Sequence, residues 1–150
     1  MALISTSKNN KLPLYKFQRK TRLKLPLYGS RLAAGFPSPA DEYLEKTLDL
    51  NEYLVDKPAA TFFVRAAGDS MIGAGIQPGD LLVVDRAKEP KNNSVVVALV
   101  NGEFTVKRFS KKGIKISLKA ENPAFKPLEI TSDMDFEVWG VVTHVIHSFK

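Results

Sequence analysis

Two runs of strand-forming residues flank an Asn-Gly pair near the middle of this chain, and no other feature restricts its fold as tightly. Ser94-Val-Val-Val-Ala-Leu-Val100 and Glu103-Phe-Thr-Val-Lys-Arg-Phe109 are separated by Asn101-Gly102 alone. Two antiparallel strands are joined through two residues by primed turns, of which type I′ needs positive φ at both residues, a demand that Asn and Gly tolerate best. A β-hairpin is predicted here, and a core built around it must be largely β. Strand patterns recur at residues 61–67, at Leu81–Asp85 after the turn Pro78-Gly79-Asp80, at 114–118, at Leu128–Ile130 and at Phe136–Ile146. Asp49-Leu-Asn-Glu52 has an N-cap residue with a glutamate three positions on, which predicts a helix kept short by Pro58.

The first 40 residues contrast with this. Pro13, Pro26, Pro37 and Pro39 bias them to extended forms, and neither helical nor strand periodicity persists. Charge is also uneven. Of the 22 Lys and Arg residues, eight lie in residues 1–34 with no acid among them, which leaves 14 against all 16 acidic groups in the remainder. The chain is a basic arm on a slightly acidic body. Such an arm suits contact with nucleic acid or an acidic protein surface. Its aromatics are only Tyr15, Phe17 and Tyr28, few for base stacking, so a solvated arm or one lying on its own acidic domain is preferred.

Composition removes several chemistries. There is no cysteine, hence no disulfide framework and no thiol nucleophile, and a reducing compartment is expected. No apolar run approaches the roughly 20 residues of a membrane helix, and the apolar start Met1-Ala-Leu-Ile is too short for a signal peptide. A soluble, cytoplasmic protein is expected. His144 and His147 fall three apart on a predicted strand, where alternation sends them to opposite faces, so neither a metal site nor another cofactor site is predicted.

A serine–histidine–carboxylate triad is formally possible through either histidine, though nothing places one near a serine, and lysine can replace histidine as the base. Ser70, in Gly68-Asp-Ser-Met71, stands where a strand enters a glycine-containing loop, and such a backbone can aim N–H groups at an oxyanion. The amides of Asp69 and Ser70 are the expected donors. Lys107 lies on the second strand of the hairpin, facing the same way as Thr105 and Phe109. A lysine acts as a base only when neutral, which requires burial to lower its pKa. Taken singly, Ser70 suits a turn and Lys107 a sheet surface.

Together these segments are specific. Gly68-Asp-Ser-Met71, Pro78-Gly79-Asp80-Leu81 and Gly102-Glu-Phe-Thr-Val-Lys-Arg108, with Lys107 standing 37 positions after Ser70, resemble the LexA-type self-cleaving serine peptidases. Ala33-Ala34-Gly35-Phe-Pro-Ser-Pro39 resembles the cleavage segment of that family, in its usual place upstream of the serine. Small residues let such a backbone enter a tight site. Gly35–Ala40, Asp49-Leu-Asn51 and Trp139-Gly-Val-Val-Thr-His144 narrow the resemblance, over about residues 35–146, to the UmuD group of polymerase accessory subunits.

The resemblance implies a mainly β, LexA/signal-peptidase-like fold with a largely extended N-terminal arm. It implies an arm of residues 1–34 removed by self-cleavage at Ala34–Gly35, a segment 35–60 with a short helix, and a peptidase domain 61–150. It further implies Ser70 as nucleophile, Lys107 as general base, a homodimer, stimulation by a RecA–single-stranded-DNA filament, and a UmuC-like Y-family DNA polymerase as partner in translesion synthesis. Only 34 residues precede the expected cleavage site, with two prolines and no helix-pair pattern, so a helix-turn-helix repressor is disfavoured. Two alternatives stand beside this reading. One is a non-enzymatic β-domain that contacts DNA through its basic arm, and the other is an uncut, LexA-like regulator.

Overall fold

The computed structural model describes residues 2–4, 14–17, 22–28 and 44–149. Strands β1 (Ala2–Ile4), β2 (Leu14–Lys16) and β3 (Lys24–Tyr28) come first, followed by β4 (Leu44–Asp49) and helix α1 (Leu50–Leu54). Then follow β5 (Thr61–Arg65), β6 (Leu81–Asp85), β7 (Val95–Val100), β8 (Glu103–Lys112), β9 (Lys115–Lys119), β10 (Leu128–Ile130) and β11 (Phe136–Ile146). The mainly β expectation is met.

The chain divides into two units, residues 1–18 with 57–150 and residues 19–56. In the smaller unit β3 pairs antiparallel with β4, and α1 starts at the expected place. The Asp49 carboxylate caps it by accepting a hydrogen bond from the Asn51 amide at 2.9 Å.

The larger unit holds a nine-stranded sheet in the order β1-β2-β5-β6-β11-β7-β8-β9-β10. Its β7–β8 hairpin closes through Asn101 (φ 47°) and Gly102 (φ 80°), both left-handed as the two-residue turn demands. Strand β7 is apolar throughout because both of its faces are covered. Val97 joins Val64, Leu82, Val84 and Phe104 in one core cluster, while Val96 and Ala98 join Phe109 and Leu118 in another. Trp139 packs on the first cluster, edge-on to Phe104 with ring centroids 5.0 Å apart.

The structure departs from expectation in places, and β7 and β9 each begin one residue later than expected. Strand β8 runs three residues past Phe109, because Ser110, Lys111 and Lys112 continue to pair with Ser117, Ile116 and Lys115. Strand β5 stops at Arg65, because the Ala66 backbone turns to bond the Pro78–Asp80 turn instead: its amide donates to the Asp80 carbonyl and its carbonyl accepts from the Gly79 amide, each at 2.8 Å. Within residues 1–40, where no regular pattern was found, β2 pairs with β5 and buries Phe17 edge-on against Phe63.

Candidate active site

Lys107 reaches the site from the middle of β8, a strand paired on both sides and hence rigid. Ser70 comes from the other direction, in the loop that leaves β5 and returns at β6. A 3-10 turn at Ile72–Ala74 and backbone bonds from the Ala74 and Ile76 amides to the Met71 carbonyl hold that loop compact. Met71 and Ile76 are buried in the first core cluster and anchor it from below.

The structure brings the two expected residues together. Lys107 Nζ lies 2.9 Å from Ser70 Oγ, 2.9 Å from Thr105 Oγ1 and 3.2 Å from the Val106 carbonyl. Lys107 is half-buried, and loss of hydration lowers its pKa from the ordinary 10.5. The strand pattern could not bury this lysine; the loop bearing Ser70 does. The group is thus biased towards the neutral amine that general-base chemistry requires.

Beside the pair is a cavity of about 140 Å³, walled by Ala66, Ala67, Gly68, Met71, Ile76 and the Phe104–Lys107 stretch of β8. It is small, and Ala66, Ala67 and Gly68 make part of its wall. A more open groove of about 550 Å³ shares Phe104, Thr105 and Lys107 and runs on to Leu118, Lys126 and Leu128. Among the described residues, no hydrogen bond occupies the Asp69 and Ser70 amides. The Asp69 carbonyl accepts two, from the Ile72 amide at 3.3 Å and from Asn122 Nδ2 at 3.0 Å.

Ala34 and Gly35 lie outside the described residues. His144 stands on β11 with Nδ1 3.0 Å from Thr143 Oγ1. His147 lies beyond the end of β11 rather than on it, with Nδ1 2.6 Å from the buried Asp80 carboxylate. Burial pushes the Asp80 carboxyl up, but the Gln77 amide, the His147 hydrogen bond and the His147 charge together hold it below the ordinary 3.8. Among the described residues, no three His, Cys, Asp or Glu side chains converge on a metal site.

Of the pair's neighbours, Thr105 was legible on the face of Lys107, since residues two apart on a strand share a face. Asn122 was not: it lies 53 positions from Asp69, in a segment whose Asn-Pro pair signals only a turn.

The Peptidase S24-like family matches residues 26–143. The chain belongs to that family. Protein ImpA of Escherichia coli is 48% identical over 128 residues, covering 81% of this chain and 83% of ImpA. Protein SamA of Salmonella typhimurium is 48% identical over 133 residues, 89% of this chain and 92% of SamA. The LexA repressor of Photorhabdus laumondii is 45% identical over 125 residues, 83% of this chain and 61% of the repressor. The protein is a UmuD-type, self-cleaving serine peptidase of the SOS response with a role in translesion synthesis, and its fold is LexA/signal-peptidase-like. Among the described residues, no helix of this peptidase is long and apolar enough to cross a membrane.

Proposed function

We propose that Ser70 and Lys107 cut the chain between Ala34 and Gly35, releasing residues 1–34 from a segment 35–60 and a peptidase domain 61–150. The observation that carries this reading is the 2.9 Å approach of Nζ to Oγ beside a small cavity. A neutral amine has two N–H groups and one lone pair. With the N–H groups given to the Thr105 hydroxyl and the Val106 carbonyl, the lone pair faces the Ser70 proton. Lys107 takes that proton as Oγ attacks the Ala34 carbonyl, and the Asp69 and Ser70 amides receive the oxyanion. Lys107 then protonates the departing Gly35 amine, and water hydrolyses the Ala34 ester on Ser70. The cavity suits the methyl group of Ala34. Docking of a segment of the same chain supplies a high effective concentration.

The family relationship supports further partners: a second copy of the chain, a RecA–single-stranded-DNA filament that promotes cleavage, and a UmuC-like Y-family polymerase that takes up the shortened form. A cytoplasmic location accords with all three. The pairing of β2 with β5 favours an arm held on its own body over one devoted to DNA.

The test is incubation of the purified chain at alkaline pH. The wild-type protein gives a fragment beginning at Gly35 by mass spectrometry, and Ser70→Ala and Lys107→Ala stay intact. Efficient cutting by Ser70→Ala overturns the dyad. A product beginning elsewhere overturns the site. A wild-type chain that stays whole while binding DNA in a salt-dependent way supports the non-enzymatic alternative.

A further inference from the structure

The loop carrying Ser70 is tied to a segment far from it in sequence, the turn that follows β9. The Gly73 amide donates to the Glu121 carbonyl at 2.7 Å. The two backbones approach so closely that a Cβ on residue 73 would lie 2.6 Å from that oxygen. Next to this contact, Asn122 Nδ2 donates to the Asp69 carbonyl at 3.0 Å. The orientation of the Asn122 amide is set by its other partner. Its Oδ1 accepts from the Ala124 amide at 3.0 Å, and a backbone N–H can only donate. Glu121 is in turn joined to the strand of the base, because Arg108, the neighbour of Lys107, places Nε 2.8 Å from its carboxylate.

The Asp69 carbonyl belongs to the same peptide unit as the Ser70 amide. That unit is planar and trans, so C=O and N–H point in opposite directions and cannot be aimed independently. Fixing the oxygen outward, on Asn122 Nδ2 and the Ile72 amide, fixes the Ser70 N–H on the opposite side. We infer that Asn122 is a positioning residue for self-cleavage, which aims the Ser70 amide at the developing oxyanion by holding the carbonyl of the same peptide unit. The inference rests on the Ser70–Lys107 reading above. It assigns Asn122 no contact with the reacting atoms.

Asn122→Asp separates the two jobs of this side chain. The carboxylate keeps an oxygen for the Ala124 amide, and with it the turn, but has no proton to offer the Asp69 carbonyl. The experiment follows alkaline self-cleavage of the full chain across pH, with thermal unfolding recorded alongside. Direct loss of one oxyanion donor costs about a hundredfold to a thousandfold, and loss of aim is milder, so the plateau rate of Asn122→Asp is expected to fall about tenfold to a hundredfold. The pH midpoint should stay in place in the uncharged Asn122→Ala variant, since Lys107 is untouched, whereas the carboxylate of Asn122→Asp can move it only upward. Asn122→Ala, which has neither atom, should fall at least as far and serves if the aspartate variant does not fold. A wild-type plateau in either folded variant overturns the inference, and so does a shifted midpoint with an unchanged plateau. Cutting by Ser70→Ala would instead remove the dyad reading itself, a separate result from either.

Discussion

Lys107 and Ser70 meet within hydrogen-bonding distance, yet the segments that carry them are organised differently. The β7–β8 hairpin is local: its turn is written in two adjacent residues, its ladder runs from Val100↔Glu103 outward, and Lys107 sits five residues from the turn. The loop from Ala66 to Asp80 is held by partners elsewhere in the chain. Glu121 and Asn122 hold Gly73 and Asp69 at its middle, and His147 holds Asp80 at its end. Lys107 therefore stands on a rigid, self-specified support, whereas Ser70 is placed by long-range contacts. Lys107 depends on folding of the strand pair, and Ser70 on completion of the whole unit.

The strongest break in this comparison removes the two side chains proposed to react. Ser70→Ala and Lys107→Met should each lower self-cleavage by at least about a thousandfold, followed by electrophoresis at alkaline pH. The wild-type rate should climb with pH and level off below 10.5, because burial lowers the Lys107 pKa. The same shift has a stability sign. Between the folded value and 10.5 the unfolded chain binds the extra proton, so this lysine disfavours folding at neutral pH and the cost fades as pH rises. Lys107→Met should accordingly raise the melting temperature at pH 7, with the gain shrinking towards pH 10.5.

A second break targets the long-range side alone. Gly73→Ala forces a methyl group onto the Glu121 carbonyl and should cost about 1–3 kcal/mol in denaturant unfolding. Its cleavage loss should exceed what that destabilisation explains, because the displaced loop carries Ser70. Acid gives a milder test. The Asp80 carboxyl is held below its ordinary 3.8, so its contribution is complete above that value and is lost as pH falls through the lower folded value. Hydrogen exchange below pH 4 should open the amides of Gln77 and Ala66 before those of the β7–β8 ladder. The smallest effect belongs to the local side. Gly102→Ala meets a positive φ and should cost about 1 kcal/mol. Its cleavage rate should not change, because pairing with β9 also holds β8 in register.

The same division governs what could be read from the sequence. Leu81–Asp85, Leu128–Ile130 and Phe136–Ile146 were expected within their observed bounds, and the Asp49 cap was also legible, because alternation, turn chemistry and capping are local codes. The extension of β8 through three polar residues was not, because its reason is the partner strand. Strands β1 to β3 had no pattern to announce them; pairing with other segments makes them strands. At the site, the 37-residue spacing and the resemblance pointed to Ser70 and Lys107, but the burial of that lysine depends on a loop folding over it. The link from Asn122 to Asp69 had no sequence signal at all, since nothing in an Asn-Pro pair says which carbonyl it will meet.

The two short arm strands carry a last consequence. While the chain is whole, β2 occupies the flank of β5 as a tethered ligand, always present at the concentration its linker imposes. A break at Ala34–Gly35 would change none of those hydrogen bonds at the moment it occurs. It would turn a covalently tethered partner into a separate chain, held by strand pairing such as β2–β5 and β3–β4 and so open to exchange. Strand β5 would then become a vacancy at the margin of the sheet, with Phe63 beside it to reward an apolar side chain, open to any extended segment that outcompetes the departed one. On the proposed reading, the cut would act as a timer on a strand exchange, with its effect felt at the sheet rather than at the peptidase site.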